Sequence, residues 1–200
     1  MVLEARNEKR IKCVVVGDDS IGKTSMLLGY ATNRYPTQHV PSVFDNHAGS
    51  LKLAGRRIKL ELIDTVEEDE RPIRKEMYKE TDIFVVCFSV VQPDSLQHVQ
   101  DIWLPEIRQI APETPYILVG TQADLREVTT ILRLLRSNGQ KPISAAEGNT
   151  LARKLGATCY VEASPEVEKK VRRTINNALA SVLKVQDGSR DIQANVCTIL

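Results

Sequence analysis

The run Gly17-Asp18-Asp19-Ser20-Ile21-Gly22-Lys23-Thr24 sets two glycines, a lysine and a hydroxyl at the spacing G-x-x-x-x-G-K-[ST]. Each part has a task at a phosphate. Glycine lets backbone N–H groups wrap an anion, lysine neutralises its charge, and the threonine hydroxyl is a hard ligand for Mg²⁺. The pattern alone is modestly specific, because a ligand-free strand-to-helix turn can satisfy it. Its flanks sharpen it: the apolar run 11–16 precedes the loop, and helical apolar spacing over 23–31 follows.

The elements that must hold such a loop are legible along the whole chain. Strand-like runs fall at 11–16, 50–53, 59–63, 83–89, 116–120 and 158–161, and helical spacing falls at 23–31, 95–110, 144–155 and 166–185. The run Ile83-Phe84-Val85-Val86-Cys87-Phe88 has no polar alternation, as expected of a parallel strand covered by helices on both sides. The expected fold is therefore α/β and doubly wound. Ligands of such sheets sit beyond the carboxyl ends of the strands, and Gly17, Asp64, Thr121 to Asp124, and Ser164 each follow a strand.

Composition narrows the functional classes. The chain has 200 residues, 42% hydrophobic and 26% charged, which suits one domain with a real core. A net charge of +1 gives no reason to expect nucleic acid as a partner. The charged first ten residues do not read as a signal peptide, and no run approaches the roughly 18 apolar residues of a membrane span, so a cytoplasmic chain is expected. Cys13, Cys87 and Cys159 lie in apolar runs without zinc spacing and read as buried thiols. Cys197 stands fourth from the end.

Several motifs in order carry a resemblance: the phosphate loop, Val40-Pro41-Ser42-Val43-Phe44-Asp45-Asn46, Asp64-Thr65, Thr121-Gln122-Ala123-Asp124 and Glu162-Ala163-Ser164. In this the chain resembles the small GTPases of the Ras superfamily, and most closely the Rho family, in its Rac/cell-division-control branch. The resemblance covers about residues 10–183 and the last four. It implies a phosphate-loop NTPase fold with a mostly parallel six-stranded sheet, helices on both faces, and a Rho-type helical insert over about 126–143. Residues 1–10 would be an extension, 11–185 the GTPase domain and 186–200 a flexible tail.

The resemblance also implies a site. GTP or GDP would be held by Gly17, Ser20, Ile21, Gly22, Lys23, Thr24, Ser25, Tyr35, Ser42, Thr121, Gln122, Asp124, Leu125 and Ser164. Lys23 would serve the β and γ phosphates, Thr24 and Ser42 would ligate Mg²⁺, and Asp64 would hold the metal through water. Asp124 would accept two guanine hydrogens in a charge-assisted pair and so choose guanine over adenine. Val43, Phe44, Asp45 and Asn46 would meet effectors by strand addition. The family's exchange factors, GTPase-activating proteins and dissociation inhibitors are the further partners it implies.

Three departures from the family pattern bear on activity. Asp19 stands where the family has glycine, either crowding the γ-phosphate or pointing to solvent. The family's Asp-Thr-Ala-Gly-Gln reads Asp64-Thr65-Val66-Glu67-Glu68 here, with one residue missing just beyond. Glu68, or Glu67 if the deletion lies earlier, thus replaces the glutamine that orients the attacking water. A carboxylate about 5 Å from the γ-phosphate costs roughly 3 kcal/mol at an effective dielectric of 20, about a hundredfold in rate. The acidic run also fits a solvated loop that points away. Pro165 has no N–H to offer guanine O6, a loss of roughly 1–3 kcal/mol, and it equally suits the start of a helix.

The last four residues, Cys197-Thr198-Ile199-Leu200, match C-a-a-X, with leucine favouring a geranylgeranyl lipid on Cys197. The tail before it is not polybasic, so one lipid chain predicts reversible residence on the cytoplasmic face of plasma or internal membranes. His98 reads as a surface or half-buried helical residue. The expected function is a GTP-loaded Rho-type switch with impaired hydrolysis, serving cytoskeleton, polarity or vesicle traffic. A pseudo-GTPase interaction module and a normally cycling GTPase are the alternatives.

Overall fold

The computed structural model describes residues 9–32, 47–53, 56–65, 71–164 and 168–186. Along them run β1 (Lys9–Val16), α1 (Lys23–Thr32), β2 (His47–Leu53), β3 (Arg56–Asp64), α2 (Arg71–Tyr78), β4 (Ile83–Ser89) and α3 (Pro93–His98). A π-helical turn (Val99–Trp103) continues into α4 (Leu104–Ile110), then β5 (Tyr116–Thr121), a 3-10 turn (Ala123–Glu127), α5 (Thr129–Ser137), α6 (Ala145–Leu155), β6 (Tyr160–Glu162) and α7 (Glu168–Gln186).

The strands form one six-stranded sheet in the order β2-β3-β1-β4-β5-β6. All pairings are parallel except β2 with β3. This is the expected α/β architecture. β1 starts two residues earlier than the sequence reading allowed: Lys9 and Arg10 pair with Ile58 and Lys59, and the Arg10 side chain binds Glu61. These two charged residues extend the ladder because backbone pairing does not need apolar side chains.

The period-2 alternation of strands sorts β1 into two cores. Ile11, Cys13 and Val15 pack on one face with Met26 and Leu27 of α1 and Ile175 and Leu179 of α7. Val14 and Val16 pack on the other with Tyr78 of α2, Trp103, Leu104 and Ile107 around α4, and Ala152 of α6. Each such buried aliphatic or aromatic side chain contributes about 1.5–3 kcal/mol. Every residue of β4 is buried, as the unbroken apolar run requires of a central strand.

Helix α2 was not legible from apolar spacing. It is short, and its sequence RPIRKEMY is mostly polar. Burial of Arg74 and Tyr78 anchors it instead. The predicted helix over 95–110 is continuous but contains the π-helical turn, in which the Leu104 N–H reaches back to Val99 O. Pro105 follows the widened turn at the start of α4, where its lack of an N–H leaves the carbonyl four residues earlier without its usual helical donor. Serine 144 caps α6 through a reciprocal bond with Glu147, and Gly156 ends that helix in a left-handed conformation.

Candidate nucleotide site

The sheet order reverses at β1, and the crevice beyond the carboxyl ends of β1 and β4 is where this architecture binds ligands. The loop after β1 fills that crevice. Gly17 has φ 142°, and a Cβ there would lie 2.4 Å from Cys87 O of β4. Only glycine lets the loop descend so close to the neighbouring strand. Gly22 has φ 91°, a backbone state that admits the turn into α1. Burial pushes the Cys87 thiol beneath the loop well above its ordinary range, and Cys13, Cys87 and Cys159 are all buried and outside any disulfide.

Lys23, the first residue of α1, is buried and lies across the loop. Its Nζ donates to Gly17 O at 2.8 Å and Asp18 O at 2.6 Å. Asp19 Oδ1 stands 3.7 Å from the same Nζ, on a side chain that is 45% exposed. Asp19 therefore faces the loop's cation. The neighbouring carboxylate turns the other way: Asp18 Oδ2 is 2.6 Å from His98 Nδ1, and Asp18 Oδ1 accepts from Trp103 Nε1 at 2.7 Å.

Two of the three residues expected to hold the metal, Thr24 and Asp64, meet where β3 ends and α1 begins. Thr24 Oγ1 donates to Asp64 Oδ2 at 2.6 Å, and Asp64 is buried. A hydroxyl and a carboxylate side by side are hard oxygen donors suited to Mg²⁺, so the residues present fit this metal. Thr24 would ligate it and Asp64 would hold its water shell. Thr65 closes the strand end, its N–H and hydroxyl both donating to Val15 O.

The base side of the site is tied to the phosphate side. Thr121 Oγ1 lies within hydrogen-bond reach of both Phe88 O and Ile21 O and shares its one proton between them, joining the end of β5 to β4 and the phosphate loop. Gln122 adopts a left-handed backbone (φ 57°), accepts from Ser89 Oγ at 2.6 Å, and donates through Nε2 to Ser20 O at 3.2 Å. The turn it starts carries exposed Asp124 and half-buried Leu125. The Ala123 N–H donates to Ala163 O, which brings this turn beside buried Ser164. Arg126 grips Glu162 with two nitrogens and donates to Ile143 O, so the two ends of the helical insert close on the strand that leads to Ser164.

The structure thus brings together Gly17, Asp19, Ser20, Ile21, Gly22, Lys23, Thr24, Ser25, Asp64, Thr121, Gln122, Asp124, Leu125 and Ser164. Tyr35, Ser42, Val43, Phe44, Asp45, Asn46, Glu67, Glu68, Pro165 and Cys197 lie outside the described residues.

Sequence reasoning missed a second layer behind the loop. Arg74 of α2 makes two bonds to Glu106 of α4, at 2.8 and 3.0 Å, and lies 5.0 Å over the Trp103 ring. Burial pulls the Glu106 carboxyl up, but the hydrogen bond and charge of Arg74 prevail and hold it below its ordinary range. Trp103 is thus pinned between Arg74 and Asp18. Asp18 and Trp103 stand 85 residues apart, and no spacing in the sequence signals their contact.

A model of the Ras family matches residues 12–184, which includes every described part of this site. With the phosphate loop, the Thr24–Asp64 pair and the base-side turn all converging on one crevice, the chain belongs to the Ras family of small GTP-binding proteins.

Proposed function

We propose that this protein is a Rho-type member of the family that holds GTP with Mg²⁺, hydrolyses it slowly, and works as a loaded platform for effectors on membranes. The observation that carries the reading is Asp19, whose carboxylate stands 3.7 Å from Lys23 Nζ. A negative charge there opposes the further negative charge that gathers on the phosphate oxygens during transfer, in an effect softened by the side chain's 45% exposure. Lys23 and the loop N–H groups still attract the phosphates, so binding survives better than catalysis. Glu68, in place of a water-orienting glutamine, acts in the same direction.

Other features support the finer assignment. The helical segment between β5 and α6, of the length the Rho branch adds, supports that branch. The terminal Cys197-Thr198-Ile199-Leu200 supports geranylgeranylation and reversible membrane residence. Val43, Phe44, Asp45 and Asn46 keep the edge sequence that effectors of the branch engage, which favours roles in cytoskeleton, polarity or vesicle traffic. Regulators that read the segment after Asp64 would meet an acidic sequence unlike the family's own.

The test is the nucleotide that co-purifies with the full chain in magnesium buffer, released by denaturation and separated by chromatography. GTP near one per chain is expected. Mostly GDP would overturn slow hydrolysis and make the protein a cycling switch. An empty protein that takes up no added nucleotide would leave an interaction module.

A further inference from the structure

We infer that His98 is a positioning residue of the phosphate loop: with Trp103 it pins the Asp18 carboxylate away from the phosphate cradle, and loss of its proton loosens the loop and speeds nucleotide release. The inference rests on guanine nucleotide binding at this loop and not on how fast GTP is hydrolysed.

Asp18 has two jobs at once. Its main-chain carbonyl seats Lys23 Nζ at 2.6 Å, while its carboxylate is held from behind by His98 Nδ1 at 2.6 Å and Trp103 Nε1 at 2.7 Å. The outward hold on the carboxylate thus bears on the same residue whose carbonyl seats the phosphate-binding lysine. The two anchors differ in kind. Trp103 is 4% exposed and clamped by Arg74, which Glu106 fixes in turn, so this anchor is constant. The His98 side chain is 46% exposed and titratable, so this anchor is variable.

The charges around His98 all favour the imidazolium. Asp18 faces it from the phosphate loop, Asp94 from its own helix α3, and Asp101 from the π-helical turn. Asp94 also accepts from Gln140 Nε2, and Asp101 from Gln97 Nε2, each at 2.8 Å. Lys23 lies on the far side of Asp18 and is directed to main-chain oxygen. The hydrogen bond to Asp18 is the main cause that raises His98 above its ordinary value of 6.5; burial opposes it, and the carboxylate charges add to it. A protonated ring makes a charge-assisted bond to Asp18, whereas a neutral ring offers at most an ordinary one.

The sign follows from the raised value. The added grip is complete below about pH 6.5 and is lost as pH rises through the higher folded value. The adjacent Asp19 sharpens the effect. Once His98 is neutral, two neighbouring carboxylates share one loop, and its buried lysine stands beside Asp19 rather than beside the Asp18 carboxylate.

The experiment uses the full chain loaded with fluorescent GDP and follows release between pH 5.5 and 8.5, for the wild type and for His98→Gln. Release from the wild type is expected to slow about three- to tenfold from pH 8.5 to pH 6, and the slope is expected to flatten in His98→Gln. Equal slopes in the two proteins would overturn the inference. The chain has one tryptophan, so the indole N–H resonance of Trp103 is a unique second reporter. It should titrate in the wild type and not in His98→Gln, whether or not nucleotide is bound. An indole that ignores pH, or titrates alike in both, overturns the pin itself. A protein that takes up no nucleotide overturns the coupling to release, while the indole still reads the pin.

Discussion

Asp19 Oδ1 lies 3.7 Å from Lys23 Nζ, so the phosphate loop carries an internal competitor for its own cation. With Asp19 45% exposed, the pair adds little to stability. Its effect falls on the ligand. Replacing Asp19→Gly should raise GTP affinity about tenfold, read by equilibrium titration in magnesium buffer. Adding Glu68→Gln should restore single-turnover hydrolysis. A rate that stays flat in the double variant would place the defect elsewhere.

The Arg74–Glu106 pair is nearly dry, with side chains 6% and 9% exposed. Glu106→Ala strands a guanidinium in the core and should cost about 3–5 kcal/mol in urea unfolding. Replacing both partners, Arg74→Met with Glu106→Leu, should cost markedly less. Equal losses would mean that the pair, and not the stranded charge, supplies the stability.

Gly17→Ala sets a Cβ against Cys87 O at 2.4 Å on a backbone with φ 142°. The backbone of β4 cannot yield as a side-chain tip would. Nucleotide uptake should fall more than a hundredfold, with an unfolding penalty of about 1–3 kcal/mol. Circular dichroism together with nucleotide titration separates the two effects.

The start of α6 supplies a pH test. Lys141, the Ser144 N–H and the Ser144 hydroxyl all bind the Glu147 carboxylate, which lowers it from 4.5 to about 2. A depressed carboxyl stabilises the fold above its unfolded value and stops doing so as pH falls through the folded one. Glu147→Gln should therefore lower Tm by about 1–3 °C at pH 7, with the gap closing between pH 4.5 and pH 2. The effect is small because the side chain is 43% exposed.

The sheet and the cradle were legible because both rest on local signals. The unbroken run of β4 declares a strand covered on both faces, and the spacing of Gly17, Gly22, Lys23 and Thr24 declares an anion site. Helix α2 was not legible, since its anchor is a charged residue, Arg74, whose partner lies 32 positions away. His98 reads from the sequence as a surface or half-buried residue, and its exposure agrees with the first of these. What spacing cannot reveal is that the side chain of the loop's Asp18, 80 residues earlier, turns outward to meet it. Contacts of this kind depend on how three elements are phased, and neither propensity nor pattern encodes the phase.

That phase is set by the π-helical turn at Val99–Trp103. An ordinary α-helix advances about 100° per residue, so one residue absorbed into a wider turn rotates everything beyond it by about that angle. Pro105 follows that turn and starts the second half of the helix without an N–H of its own. His98 is cut from the first half, and Trp103 leads into the second. Their meeting on one carboxylate is therefore a matter of timing along the helix, and one further residue inserted within 99–102 would throw them out of mesh while leaving every residue of the site intact.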